Sequence, residues 1–203
     1  MAKISHLFGR ARLLLPAMAF VVVLLGGVAA WLAMSRDENG GFGAIGGPFA
    51  LVDGEGHAVT DQDFRGRYML VYFGYTFCPD VCPTTLNEVA AAFDKLGPKA
   101  DRVRALFITV DPARDTPKVV GEYAAAFGPH IEGLTGTPEQ IATVAREYRV
   151  YYAPQKPGVS GAGYTVDHSS ILYLMGPDGR FIAPIRTDET GEAMAADIAK
   201  YVS

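Results

Sequence analysis

Cysteine is scarce in this chain. Only two of its 203 residues are cysteine, Cys78 and Cys82, which leaves room for one disulfide at most and excludes a scaffold stapled by several. Acidic residues are absent until Asp37, and charge of either sign is absent from Leu13 to Met34. At about 1.5 Å per helical residue that run reaches roughly 33 Å, enough to cross the hydrocarbon of a bilayer. Basic charge is also in deficit. Three of the 18 Lys and Arg residues precede the apolar run, leaving 15 against 22 Asp and Glu, a balance of −7 for the remainder. Such a surface argues against nucleic acid and anionic lipid as partners. No internal repeat is visible.

Lys3, Arg10 and Arg12 precede the apolar run, so the positive-inside rule leaves the short N-terminus in the cytoplasm and exports the rest. The small residues Val28, Ala29 and Ala30 resemble a signal-peptide cleavage site, but signal cores run only about 7 to 15 residues, and a retained anchor suits this length better. The expected organisation is therefore a cytoplasmic N-terminus over 1–12, a transmembrane helix over 13–35, a glycine-rich linker over 36–47 and a domain over 48–203. That domain would face an oxidising or metal-handling compartment.

Within the domain, Phe49 to Val52 and Ala58 to Thr60 flank turn residues as a short hairpin. Tyr68 to Phe73 and Val103 to Val110 are continuous apolar runs, the pattern of strands buried on both faces. Between them Leu86, Val89, Ala90, Phe93 and Leu96 recur at helical spacing, with Gly97 and Pro98 as the stop. Thr116 with Pro117, and Thr137 with Pro138 and Gln140, mark two further helix starts. The first of these ends near Gly128 and the second runs through Tyr148. Ala153 to Gly163 carries two prolines and three glycines, as in an exposed loop. Ser169 to Met175 and Arg180 to Ile185 flank GPDG as an antiparallel hairpin, and Thr190 to Val202 closes the chain as a helix. This order predicts an α/β fold with a mixed central sheet flanked by helices, the order of thioredoxin-like domains.

The run FGYTFCPDVCP places both cysteines where a buried strand turns into a helix. Unpaired amides and the helix dipole favour thiolate there. Pro83 suits the first turn and biases Cys82 away from helical geometry. Two thiolates so placed can share a soft metal ion or close on each other as a disulfide. A disulfide across three intervening residues closes a small loop and gains little chain entropy, so a purely structural staple is the weaker reading. Asp80 between them has three readings: helix cap, metal oxygen donor, or a charge that raises the thiol pKa.

Of the four histidines, His168 in YTVDHSSILYL sits where a flexible loop meets a buried strand. It is either a third ligand, suited with two thiolates to copper or zinc, or a neutral buried imidazole. Asp167 is poorly placed to orient it, because strand neighbours face opposite ways. Asp111, Arg114 and Asp115 of DPARDTP follow the second buried strand at the same carboxyl edge of the sheet. They either ring the site or contact a partner, or form a salt-bridged turn.

GYTFCPDVCPTTL, VDPARDTP and YTVDHS, in this order, resemble the Sco family, also called SenC, over about residues 45 to 203. The resemblance implies a membrane-tethered thioredoxin-like protein of cytochrome c oxidase assembly. It also implies that Cys78, Cys82 and His168 bind one copper ion, as Cu(I) or Cu(II). The implied role is delivery of copper to the CuA centre of oxidase subunit II, or reduction of that centre's cysteines by thiol-disulfide exchange through Cys78 and Cys82. Implied partners are the CuA domain and a periplasmic copper donor or thioredoxin-like reductant. The implied place is a bacterial inner membrane with the domain in the periplasm, in preference to the mitochondrial inner membrane. The spacing itself discriminates: oxidoreductases use CxxC, and the extra residue here opens the pair toward metal ligation. A peroxiredoxin-type peroxidase suits the fold but not this cysteine context, and a scaffold without chemistry leaves both thiols unexplained.

Overall fold

The computed structural model describes residues 45–155 and 164–202. The expected N-terminal segment, anchor and most of the linker lie outside these residues. Among the described residues no helix is long and apolar enough to cross a membrane.

A five-stranded mixed sheet organises the domain. β3 (Tyr68–Gly74), β4 (Val103–Thr109) and β5 (Ile131–Leu134) run parallel, while β8 (Ile171–Met175) and β9 (Phe181–Arg186) form an antiparallel hairpin beside β3. Their order is β5-β4-β3-β8-β9. All seven residues of β3 are buried, which explains its unbroken apolar sequence: a central strand covered on both faces has no polar side to present. Because strand side chains alternate, Leu70 and Tyr72 face one layer and Met69, Val71 and Phe73 the other.

The first layer holds α1 (Val81–Leu96), α2 (Pro117–Ala125) and α4 (Gly191–Ala199), which contribute Leu86, Val89, Phe93, Val120, Met194 and Ile198. The second holds α3 (Pro138–Glu147) with Ile141 and Val144, and the N-terminal hairpin of β1 (Ala50–Val52) and β2 (Ala58–Thr60). Each fully buried Leu, Val or Phe contributes about 1.5–3 kcal/mol, so the two layers fix the frame on which the site is mounted. The helix starts agree with their local signals. Thr137 accepts from the Gln140 amide while Gln140 returns a bond to the Thr137 amide, a complete capping box.

One strand answers to no expectation, and three expectations need correction. The strand β5 lacks any sequence signal, being four residues long with Gly133 inside it. Glycine is required there because a Cβ would lie 2.2 Å from the Val120 carbonyl oxygen of α2. The hairpin strand β8 begins at Ile171 and not Ser169. His168 instead ends a separate strand, β7 (Val166–His168), paired antiparallel with β6 (Tyr152–Pro154) in a two-stranded ribbon. Residues Ala153 and Pro154, expected in a loop, therefore belong to β6. Pro154 is tolerated because an edge strand has one side free of partners, where a missing N–H costs nothing. Finally, the bias of Pro83 does not keep Cys82 out of the helix. Cys82 is the second residue of α1, where the missing proline N–H has no helical acceptor and burial of Cys82 with Leu86 favours the turn.

Candidate metal centre

Cys78 lies in the turn after β3, its amide donating to the Tyr75 carbonyl at 3.2 Å. One helical turn later Cys82 is fully buried, while Cys78 is half-buried. The Cys82 amide donates to Cys78 Sγ at 3.4 Å, the helix N-terminus acting on a sulfur as it would on any anion. Gly74 closes β3 without a side chain because a Cβ there would lie 2.7 Å from Cys82 Sγ. The buried sulfur needs that space.

His168 comes to the sulfurs from the ribbon. Its Nε2 is 3.3 Å from Cys82 Sγ, and its Nδ1 is 3.2 Å from the Ser169 carbonyl. The Ser169 carbonyl, which can only accept, faces Nδ1, and this leaves Nε2 as the ring nitrogen directed at the sulfurs. A backbone carbonyl on the far ring nitrogen is the usual way a metal-binding imidazole is oriented. Tyr75 and Tyr72 meet the ring edge-on, with centroids 5.9 Å and 6.3 Å away. Two Sγ atoms and one imidazole nitrogen thus lie within 4.8 Å of one another. A cavity of 270 Å³, lined by Tyr75, Cys78, Val81, Val166 and His168 among others, opens beside Cys78 and His168. Two larger clefts, of 600 and 540 Å³, are lined by no cysteine or histidine.

The two thiols are electrostatically unequal. The hydrogen bond from Cys82 lowers the Cys78 pKa most, against the cost of burial; contacts with His168 and the amides of Cys82 and Asp80 add to it, bringing it to about 3. Cys82 moves the other way, because its proton is held by the Cys78 thiolate and its sulfur is buried. The metal-free reduced pair is therefore one thiolate and one thiol sharing a proton. The Tyr72 hydroxyl, 3.8 Å from Cys82 Sγ, adds a donor behind the pair, and burial raises its own pKa.

Other candidates resolve differently. Asp167 faces away and accepts from Gln155 Nε2 at 2.7 Å, as strand alternation requires. Asp80 occupies the N-cap position of α1, but its carboxylate caps no backbone amide and receives only the Thr84 hydroxyl, at 3.5 Å. Asp115, fully buried, accepts from the Thr76 amide (3.0 Å), the Thr76 hydroxyl (2.5 Å) and the Thr109 hydroxyl (2.6 Å). It ties the cysteine turn to β4. Asp111 pairs with Arg114 and accepts from the Tyr164 hydroxyl at 2.6 Å. The DPARDTP turn is thus the salt-bridged turn of one reading, and its Asp115 and Arg114 also contact the segments that carry Cys78 and His168. His57 is exposed beside Asp53, and His130 stacks on Phe93 with a 5° interplanar angle. Sequence reasoning missed Gly74, Tyr72, Tyr75 and Tyr164. Only Gly74 left a signal, as a lone glycine ending an apolar strand.

A thioredoxin-like α/β domain with two cysteines at a helix start, and an imidazole brought to them on a separate ribbon, offers a donor set suited to thiol chemistry and to a soft metal ion. The sequence model of SCO1/SenC matches residues 37–203, and the chain belongs to that family. It is 43% identical over 159 residues to the sco1 protein of Schizosaccharomyces pombe, covering 77% of this chain and 60% of that one. It is 40% identical over 199 residues to SenC of Rhodobacter capsulatus, covering 93% of this chain and 89% of the other. The copper-bound structure of Bradyrhizobium japonicum ScoI superposes with a TM-score of 0.71 at 49% identity, covering 78% of this chain and 99% of that one. Bacterial and mitochondrial proteins are both among its relatives.

Proposed function

We propose that this protein is a copper metallochaperone that binds one copper ion through Cys78, Cys82 and His168 and delivers it to the CuA centre of cytochrome c oxidase subunit II. The observation that carries the reading is the donor set: two sulfurs and an imidazole nitrogen within 4.8 Å, with Cys78 and His168 lining a cavity. Thiolates select Cu(I), the imidazole also suits Cu(II), and a site open on one side lets an acceptor's ligands replace these in turn. Copper in the related B. japonicum ScoI supports the choice of metal. In this reading residues 1–12 stay in the cytoplasm, 13–35 anchor the chain in the inner membrane, 36–47 tether it, and the domain from residue 48 works in the periplasm. There it meets a copper donor or a thioredoxin-like reductant.

An anaerobic copper titration of the reduced, detergent-solubilised full-length chain tests the site. One copper should bind per monomer, and His168→Ala should weaken Cu(II) binding by about 10-fold or more while leaving a Cu(I)-binding dithiol. Indistinguishable Cu(II) curves for the two proteins would remove His168 from the site.

The unequal thiols favour a second reading, reduction of the CuA cysteines. The Cys78 thiolate would attack one sulfur of the target disulfide, forming a mixed disulfide and expelling a target thiolate. Cys82 would then attack Cys78 Sγ as its proton passes to the departing target sulfur, leaving an oxidised Cys78–Cys82 pair and a two-electron-reduced target. Comparing CuA assembly in cells separates the readings. Normal assembly in His168→Ala with failure in Cys78→Ser/Cys82→Ser selects the reductase.

A further inference from the structure

We propose that Arg114 is a positioning residue that clips the His168 ribbon to the cysteine turn, so that delivery of the imidazole to the two sulfurs depends on this one side chain. The proposal rests on the copper-site reading for its consequence, and on the metal-free structure for its geometry.

Arg114 follows β4 at the carboxyl edge of the sheet, between the two ligand-bearing segments. Its Nε pairs with the Asp111 carboxylate. Its Nη1 donates to the Tyr164 carbonyl at 2.9 Å, and its guanidinium carbon lies 3.8 Å from the centre of the Tyr164 ring. Tyr164 in turn donates its hydroxyl to Asp111 at 2.6 Å, closing a ring of three residues. The same guanidinium lies 4.8 Å from the Phe77 ring and 5.6 Å from the Tyr75 ring. Phe77 adjoins Cys78, and Tyr164 leads into Val166–His168.

Two facts separate this from ordinary stabilisation of a turn. The turn carrying Arg114 is already fixed by Asp115, buried with three donors, whereas apart from Asp111 the side-chain contacts of Arg114 reach segments outside its own loop. Of the two segments it touches, the cysteine turn is also held through Thr76 and Asp115, whereas the ribbon has less to hold it. Phe77 is 59% exposed, and the three-residue strand β7 pairs only with β6 among the described residues. Only a planar guanidinium can stack on tyrosine and phenylalanine rings while its edges bond a carboxylate and a carbonyl. Lysine keeps the charge and loses that geometry.

Hydrogen exchange of the metal-free, reduced full-length protein reads the clip without copper. In Arg114→Met and Arg114→Lys, amides of residues 164–169 should exchange about 10-fold faster or more, while β3 and α1 keep wild-type protection. In the copper-loaded proteins, Cu(II) affinity should fall about 10-fold and the thiolate-to-Cu(II) absorption band should shift, with Cu(I) affinity changed less than about 3-fold. Wild-type exchange over 164–169 in Arg114→Met overturns the proposal. So does faster exchange spread equally over β3 and α1, which would make Arg114 a general stabiliser. If wild type itself binds no copper while the exchange result holds, the clip stands and the metallochaperone reading falls.

Discussion

The two halves of the candidate metal centre are built on different foundations. The thiol half stands at the junction of β3 and α1, with Cys82 fully buried in the core and Cys78 packed against both apolar layers. The imidazole half stands on a two-stranded ribbon outside the main sheet, attached through Tyr75, Tyr164 and Arg114. Local opening costs least where few buried contacts and short ladders hold an element. The dithiol is therefore the more firmly held part of the site and His168 the less firmly held, a division that suits the proposed release of an ion. The same division fits both proposed readings, because the thiols need only each other for disulfide exchange.

The largest expected effect breaks the fixed half. Gly74→Ala places a Cβ against Cys82 Sγ and the Phe107 ring, 2.7 Å from each, and should destabilise the domain by about 1–3 kcal/mol, read as a lower unfolding midpoint in denaturant. Cu(I) affinity should fall with it, because the sulfur has nowhere else to go. A wild-type midpoint would mean that β3 shifts freely, contrary to its complete burial.

A smaller effect sharpens the inequality within that half. With its pKa brought down to about 3, Cys78 should be alkylated by iodoacetamide at a nearly constant rate from about pH 8 to about pH 5, where an ordinary thiol with pKa about 8.5 slows about 10-fold per pH unit. Cys82 should react only after unfolding. The stability that the thiolate contributes is fully present above its unfolded pKa of about 8.5 and is lost progressively as pH falls toward about 3. An alkylation rate falling steadily below pH 8 would contradict the assignment of the thiolate to Cys78.

The smallest effect tests how little the ribbon depends on its outer face. Gln155→Ala removes an exposed hydrogen bond to Asp167 and should change stability by less than about 0.5 kcal/mol, with Cu(II) affinity unmoved. A clear loss of Cu(II) affinity would show that the ribbon is steered from outside as well as through Arg114.

Legibility in the sequence followed the same division. The junction of β3 and α1 announces itself by an apolar run, a turn and a helical stripe, all local signals, so the placement of Cys78 and Cys82 was readable. The ribbon was not. β7 is three residues long and exists by pairing with β6 across the 155–164 connection, and a strand that short carries no periodicity of its own. The strand β5 escaped for a similar reason, since its register is set by β4 and its Gly133 by contact with α2. The DPARDTP turn showed its charges but not their partners, because Tyr164 and Thr76 are distant in the chain and meet it only at the sheet edge.

What the sequence determined by itself is the chemistry: two thiols in one helical turn, one histidine in a suggestive context, an α/β order of elements. Tertiary structure alone decided that His168 turns Nε2 toward Cys82, that one thiol is charged and its neighbour not, and that Asp115 and Arg114 hold different segments. Those outcomes depend on distances between groups far apart in the chain, and hydrogen bonds, desolvation and ring stacking act only once folding has brought such groups within a few ångströms.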